Sequence, residues 1–582
     1  MSDYHIKLIE RRKKHYVTIH YPHFFNDEMS AELKENIKKI PGRKFNWNEY
    51  FWEVPLNKTT LEYLDAFCSY YNFETPLEFK VFVEQLKELN KENKILSAAE
   101  STDFIIPNLK LTLRPFQAAG VQYILKNKRV LLGDEQGLGK TPQAIASFFT
   151  LGKYPITIIC PNSLKLNWYY EILKWIDIDK ERISVIRNNK KDNFEADIII
   201  IHYQALTKYL KILEKKKIKL LIVDESHFVK SHKSQRSKAV FTLSRKVEYK
   251  MLLTGTPTGD APLDLVHQLK ILDRLQDFGG SQNFKLRYCD AKEGYYGWEY
   301  GASNLEELHE KLRQVCYIRR NKKDVLKELP DKVRSIVYLD IDNRKEYELA
   351  KRDLVNFILK NKVVNEDIND DEIPTVLNAL NSKLEKIEAI NKVSKYEALI
   401  RANYLRQLTA HGKLNNVIEW IYTFLQSGQK LVCFAYHVAI LDSIADHFKC
   451  NRIYGGTPVE QRQEYVQKFQ DDPNEKLIVL NIDSGKVGFN LTAASNLAVV
   501  ELSWMPDDLL QLEDRIHRMG QENVANIYYL LGADTFDINM YDVLEDKMVI
   551  TNAINAGIKY EAKYIGNKKQ SIFKDIINQL IK

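Results

Sequence analysis

The sequence predicts an α/β protein with two similar parallel-sheet lobes and helical protrusions, preceded by a small α+β module. Three observations lead to this fold class. From about residue 101 to 330, short β-rich runs (Ile156 to Cys160, Ile198 to Ile201, Leu220 to Val223, Met251 to Leu253) alternate with helical patterns, as in a parallel sheet covered by helices. The same alternation returns after residue 400 in "KLVCFAY", "RIYGG", "KLIVLNI" and "NLAVVEL". The chain of 582 residues is long enough for several cores and suggests about three or four domains.

In chain order, residues 1–80 are aromatic and basic and form the small module. Residues 81–105, which contain the charged run "VEQLKELNKENKILSAAES" without Gly or Pro, read as a helical linker. Residues 106–314 are the first lobe. Residues 315–400 are a linker and helical protrusion, broken by the acidic "NEDINDDEIP". Residues 401–550 are the second lobe, and residues 551–582 a basic helical tail.

Composition narrows the function classes. A hydrophobic fraction of 45% and a charged fraction of 28% are those of a soluble globular protein. The balance of 85 Lys+Arg against 78 Asp+Glu permits nucleic-acid binding without arguing for it, so any basic surface has to be local. The six cysteines form no C-x-x-C pair, which suggests neither a disulfide framework nor a zinc site and fits a reducing compartment. No apolar run is long enough to cross a bilayer, so no membrane partner is expected.

Candidate chemistry begins at "LLGDEQGLGKTPQAI", Leu131 to Ile145. The apolar "RVLL" before it and the helical spacing after it place its glycines at a strand-to-helix turn, where backbone N–H groups and a helix dipole can face phosphates. Gly137 and Gly139 allow close approach, Lys140 can reach β and γ phosphates, and Thr141 can ligate magnesium. The strict pattern G-x-x-x-x-G-K-[ST] fails, because Asp134 stands where its first glycine belongs. An ordinary glycine turn remains open on this stretch alone.

"KLLIVDESHFVKS" supplies a second part. An apolar run ending in Asp224 and Glu225 puts two carboxylates at the C-terminal end of a buried strand, where open α/β sheets bind ligands. In a nucleoside triphosphatase Asp224 would hold magnesium and Glu225 would polarise the attacking water. His227 could couple the site to neighbouring strands. An acidic helix N-terminus is the plainer alternative.

The series "LRPFQ", "GDEQGLGKTPQAI", "ICPNSLKLNW", "IIIIHYQAL", "DESH", "LLTGTP", "LVCFAYH", "YGGTP", "DSGKVGFNLTAA" and "QLEDRIHRMGQ" resembles, in content and order, the motifs of Swi/Snf-type ATPases of helicase superfamily II. That family's loop typically reads D-E-x-G-x-G-K-T, so Asp134 is what the resemblance expects and the loop is an ATP site. "DESH" and the stretch Lys285 to Lys332 resemble the annealing-helicase branch, and "IPGRKFNWNEYFWEVPL" resembles that branch's HARP domain.

The resemblance implies two RecA-like lobes, ATP and Mg2+ as cofactors, and double-stranded and branched DNA as partner. It further implies ATP-site roles for Arg114, Gln117, Gly488 and Gln511, with Gln117 reading the adenine edge. Arg515 and Arg518, three apart, would share one helix face and cross the cleft as arginine fingers. DNA contacts are implied at Asn162, Ser163, Lys165, Asn167, Trp168, Thr254, Thr256, Ser484, Lys486, Asn490, Thr492 and Trp504. In the module, Arg43 and Lys44 are cations beside aromatic residues that can stack on unpaired bases. Asp260, Lys486 and Met505 depart from the family pattern and bear on the coupling of hydrolysis to movement.

The expected function is an ATP-dependent duplex-DNA translocase that remodels forks by annealing or regression. The alternatives are a chromatin or protein–DNA remodelling motor and an ATP-gated DNA-binding scaffold. Single-strand-binding or replication and repair proteins are the protein partners expected. The location is nuclear in a eukaryote and cytoplasmic, on the nucleoid, in a prokaryote or virus.

Overall fold

The computed structural model describes residues 4–11, 14–21, 28–40, 42–56, 58–187, 192–257, 261–294, 297–361, 394–485 and 488–556. Lys486, Asp260, the acidic run and residues 557–582 of the expected tail lie outside the described residues. Among those described, no helix is long and apolar enough to cross a membrane.

The N-terminal module is a four-stranded antiparallel sheet of β1 (His5–Arg11), β2 (Lys14–His20), β3 (Lys44–Asn46) and β4 (Phe51–Pro55), in the order β1-β2-β4-β3. Alternation in "FWEVP" sends Val54 and Trp52 into the module core with Val17 and Ile19. The helix Leu77–Ala98 is not a free linker. Its first half places Phe79, Val83 and Leu86 in the module core. Its second half docks on the first lobe, where Asn93 Nδ2 donates to the Gln314 carbonyl (2.8 Å) and Ser97 Oγ to that of Tyr317 (2.7 Å).

The first lobe contains β5 (Arg129–Leu132), β6 (Ile156–Cys160), β7 (Ile183–Val185), β8 (Ile198–His202), β9 (Leu220–Asp224) and β10 (Tyr249–Leu253). A hairpin of β11 (Lys292–Gly294) and β12 (Gly297–Glu299) follows, and β13 (Tyr317–Ile318) then returns to the main sheet. The sheet is parallel throughout, in the order β13-β5-β10-β9-β6-β8-β7. The continuous apolar runs are explained by burial on both faces: every residue of β6, β8, β9 and β10 is buried. This lobe extends to Ile318, beyond the expected end at residue 314, because β13 pairs with β5.

The second lobe is a six-stranded parallel sheet of β14 (Lys332–Leu339), β15 (Leu431–Ala435), β16 (Asn451–Ile453), β17 (Leu477–Asn481), β18 (Asn496–Val499) and β19 (Ala525–Gly532), ordered β14-β19-β18-β15-β17-β16. β14 lies inside the range read as linker; mostly exposed along its length, it gives little apolar signal, and pairing with β19 makes it a strand. Helices Arg344–Asn361 and Ser394–Gly412, read as a protrusion, pack on each other and on the second lobe, where Tyr347, Leu354, Leu399 and Leu405 share a core with Val432 and Leu497.

Candidate ATP site and lobe junction

In this sheet order β5 and β9 flank β10, so the loops after all three gather at one end of the first lobe. The loop after β5 turns through Gly137 (φ 84°) and Gly139 (φ 74°) into the helix Lys140–Leu151. Both angles lie in the left-handed region, where glycine carries no Cβ penalty. A Cβ on Gly139 would meet Gln117 Nε2 at 2.4 Å.

Asp134 does not face a phosphate. Fully buried, it accepts from the Arg320 guanidinium (3.1 Å), the Arg320 N–H (3.0 Å) and Gln143 Nε2 (2.9 Å). Arg320 in turn donates to the carbonyls of Ala99 (2.8 Å) and Leu96 (3.2 Å) at the end of the docked helix. The residue that broke the generic pattern is thus a buried anchor between loop, β13 and N-terminal helix.

Lys140 Nζ donates to the Asp134 carbonyl (2.9 Å). Burial lowers its pKa, while Glu225, Asp134 and Asp224 pull the other way. At the end of β9, Asp224 accepts from Trp168 Nε1 (2.8 Å) and from the Glu225 N–H (2.9 Å). Burial and the neighbouring Glu225 push Asp224 up to about 7. Glu225 has φ 51°, rare for a residue with a Cβ. Burial would raise its pKa, but His227, Lys140 and Arg515 prevail and lower it. His227 Nδ1 lies 3.2 Å from both Glu225 Oε2 and Thr254 Oγ1, which links β9 to the loop after β10.

Thr141 and Asp224 offer hydroxyl and carboxylate oxygens, the donors that magnesium prefers, and a carboxylate whose pKa burial and Glu225 raise gains from a cation. Among the described residues no cluster of three or more His, Cys, Asp or Glu could cage a metal.

A cleft of about 740 Å³ is lined from the first lobe by Arg114, Gln117, Gly139, Thr141 and Asn167, and from the second by Gly488, Asn490 and Arg518. The Gln117 amide already donates to the Leu138 carbonyl (3.1 Å) and accepts from the Arg114 N–H (2.9 Å), so it braces the loop at the cleft wall. Gln511 is buried inside its helix and is not among the lining residues.

The arginines depart from the expected helix. That helix, Pro506–Glu513, ends before them. The Arg515 carbonyl instead accepts from the Leu491 N–H (3.1 Å), and the Gln521 amide donates to the carbonyls of Ala494 (2.8 Å) and Ile516 (3.1 Å). Arg515 and Arg518 therefore stand on a braced turn. Arg515 is near enough to Glu225 for the two to favour each other's charged forms; burial and Arg518 nonetheless lower it to about 10. Glu513, at the helix end, accepts from Lys332 (2.7 Å), Arg334 (2.6 Å) and the Tyr529 hydroxyl (2.7 Å), tying the turn to β14 and β19.

Several residues expected on DNA are buried. Trp168 is fully buried and serves Asp224. Lys165 donates to the Ile186 carbonyl (2.7 Å). Thr254, Thr256 and Ser484 are buried, and Trp504 packs edge-on against Phe536. Trp168 and Lys165, near the strand ends, thus turn inward to protein partners instead of outward to solvent. Asn162 and Asn490 are exposed, Asn167 and Thr492 half-buried, and Ser163 stands in the turn Asn162–Leu164. In the module Arg43, Lys44, Trp47 and Tyr50 are exposed.

Sequence reading missed Arg319, Arg320 and Lys322. Arg319 donates to the carbonyls of Gly133 (2.7 Å) and Gly255 (2.8 Å), joining the loops after β5 and β10. The available signal was "YIRRNKKD", cations crowded just past an apolar strand.

The SNF2-related domain model matches residues 116–394 and the helicase conserved C-terminal domain model residues 412–520. The human DNA annealing helicase and endonuclease ZRANB3 is 33% identical over 477 residues, covering 78% of this chain and 42% of that protein. In Xenopus laevis, the SWI/SNF-related matrix-associated actin-dependent regulator of chromatin subfamily A-like protein 1 is 32% identical over 488 residues, covering 82% and 48%. The Caenorhabditis elegans homolog of the latter is 30% identical over 542 residues, covering 89% and 72%. This chain thus spans less than half of the human and frog proteins. The solved Sulfolobus solfataricus SWI2/SNF2 ATPase core in complex with dsDNA is 25% identical, with a TM-score of 0.36 over 78% of this chain and 96% of that one. With both domain models in sequence and a nematode relative matched over most of its length, the chain belongs to the SNF2-related, Swi/Snf-type family.

Proposed function

We propose that this chain is an ATP-dependent double-stranded-DNA translocase that remodels forked or branched DNA by annealing or fork regression. The observation that supports the reading is a cleft shared by two lobes: Lys140, Asp224 and Glu225 belong to the first, while from the second Arg515 comes near Glu225 and Arg518 lines the cleft beside Gly137. Hydrolysis then requires lobe closure, and closure moves DNA grips on the two lobes relative to each other. Lys140 and the glycine loop hold the phosphates. Thr141 and Asp224 would hold magnesium, which neutralises phosphate charge when bound. Glu225 orients and deprotonates the attacking water, and the arginines meet charge that builds in the transition state.

DNA is held through its phosphates by the exposed amides Asn162 and Asn490 and by local backbone N–H groups, contacts that carry no base sequence. In the module, Trp47 (77% exposed) and Tyr50 (60%) offer faces to unpaired bases beside Arg43 and Lys44, while Phe51 and Trp52 are structural. This is the arrangement that a HARP-type junction sensor needs. The names of the relatives, annealing helicases among them, support the same reading.

The test compares ATPase stimulation by single-stranded, duplex, forked and four-way DNA and by RNA. Duplex should stimulate regardless of base sequence, forks more strongly, and affinity should fall with salt at a log-log slope of about −0.9 per neutralised phosphate. Replacing Trp47 and Tyr50 by Ala should remove the fork preference and keep duplex stimulation. Deleting the module is the poorer experiment, because it would strip Phe79, Val83 and Leu86 of their core. Equal stimulation by RNA, or dependence on one base sequence, would contradict the reading.

A further inference from the structure

Lys322 lies just beyond β13, and nothing in the ATP-site reading uses it. Its side chain is only 3% exposed, although an ammonium is costly to bury unless it is fully paired. Its partners come from the other lobe: Nζ donates to Asp514 Oδ1 (2.5 Å) and to the His517 carbonyl (2.7 Å). Asp514 immediately precedes Arg515, and His517 immediately precedes Arg518. A single cation therefore grips the residue before each arginine.

The other end of Lys322 is fixed to the first lobe. Its N–H donates to Glu135 Oε2 (2.7 Å) in the phosphate loop, and the adjacent Arg320 and Arg319 are pinned to Asp134, Gly133 and Gly255. Gly137 gives the clearance: a Cβ there would lie 3.3 Å from Lys322 Cε and 3.1 Å from Arg518 Cβ. The loop, the lysine and the arginine thus pass one another where glycine leaves room. Asp514 also favours the charged forms of both Arg515 and Arg518.

We propose that Lys322 is a positioning residue for hydrolysis, a buried cation that registers the Arg515–Arg518 turn against the phosphate loop when the lobes are together. It acts through the arginines and touches neither nucleotide nor water. The inference rests on the ATPase reading above. Its physical content is that misplacing a finger by about 1 Å costs ~10²-fold in rate while leaving ground-state binding nearly unchanged.

The test is duplex-stimulated ATP hydrolysis by the full chain, with binding of a non-hydrolysable ATP analogue and thermal melting measured on the same preparations. Lys322→Met should lower kcat by ~10²-fold with KM and analogue binding within about threefold. Lys322→Arg, which keeps the charge and can still donate to both partners, should recover at least about tenfold of that loss. Asp514→Asn should reproduce the kcat defect, and the double variant should be no worse than either single one, as expected of one shared interaction. Should Lys322→Met fail to fold, Asp514→Asn carries the test. Parental kcat in Asp514→Asn or in a folded Lys322→Met would overturn the inference, and so would a kcat loss matched by equal losses of analogue binding and melting temperature. A parental protein that does not hydrolyse ATP would overturn the proposed function and this inference with it, an outcome distinct from variants that match an active parent.

Discussion

Glu225→Gln is expected to bind ATP with near-parental affinity and to turn it over at least ~10³-fold more slowly in the presence of DNA. The substitution keeps the shape of the side chain and removes its charge, so the cleft survives while the base that accepts the proton of water does not. The environment is built for the ionised form: His227, Lys140 and Arg515 together overcome burial and keep Glu225 below its ordinary pKa. Lys140→Ala should behave differently, weakening ATP binding itself, because its ammonium meets phosphate charge already present in the ground state. Steady-state hydrolysis and equilibrium nucleotide binding on the two variants separate these roles. Parental turnover by Glu225→Gln would show that the wrong carboxylate has been assigned.

The second large effect concerns Asp134. Asp134→Gly would restore the generic phosphate-loop pattern, yet it is expected to damage the protein. The carboxylate is fully buried against Arg320, whose side chain is 1% exposed, and removing one partner of such a pair typically costs about 3–5 kcal/mol because a buried charge is left uncompensated. The loss should also reach Gln143 and the Lys140–Leu151 helix, which share the same anchor. Chemical denaturation of the variant should show this destabilisation, and ATP binding should weaken with it. Unchanged stability together with unchanged ATP affinity would mean that the network is incidental.

The buried strands and both loops of the proposed ATP site were legible in the sequence because they carry local signals. Five consecutive buried residues in β9 read as an apolar run, and the glycines before Lys140 mark a turn that few other residues allow. Features that depend on distant partners were not legible. β14 is a strand only because β19 lies beside it, and the arginine turn departs from helix because Leu491 and the Gln521 side chain hydrogen-bond to its carbonyls. Trp168 and Lys165 carry the residue types of a DNA contact, but their direction is set by tertiary packing. One turns inward to Asp224, the other to the Ile186 carbonyl. Lys322 was hidden for the same reason, since its partners lie 192 and 195 residues away.

ATP turnover across this shared cleft is proposed to move the chain along duplex DNA. The most direct measurement is displacement of a triplex-forming third strand from a long duplex, followed with the parental chain and with Glu225→Gln. Displacement by the parent should depend on ATP and take longer as the distance to be tracked grows, and the variant should displace nothing. Rapid duplex-stimulated hydrolysis by the parent without displacement of the third strand would contradict the proposal.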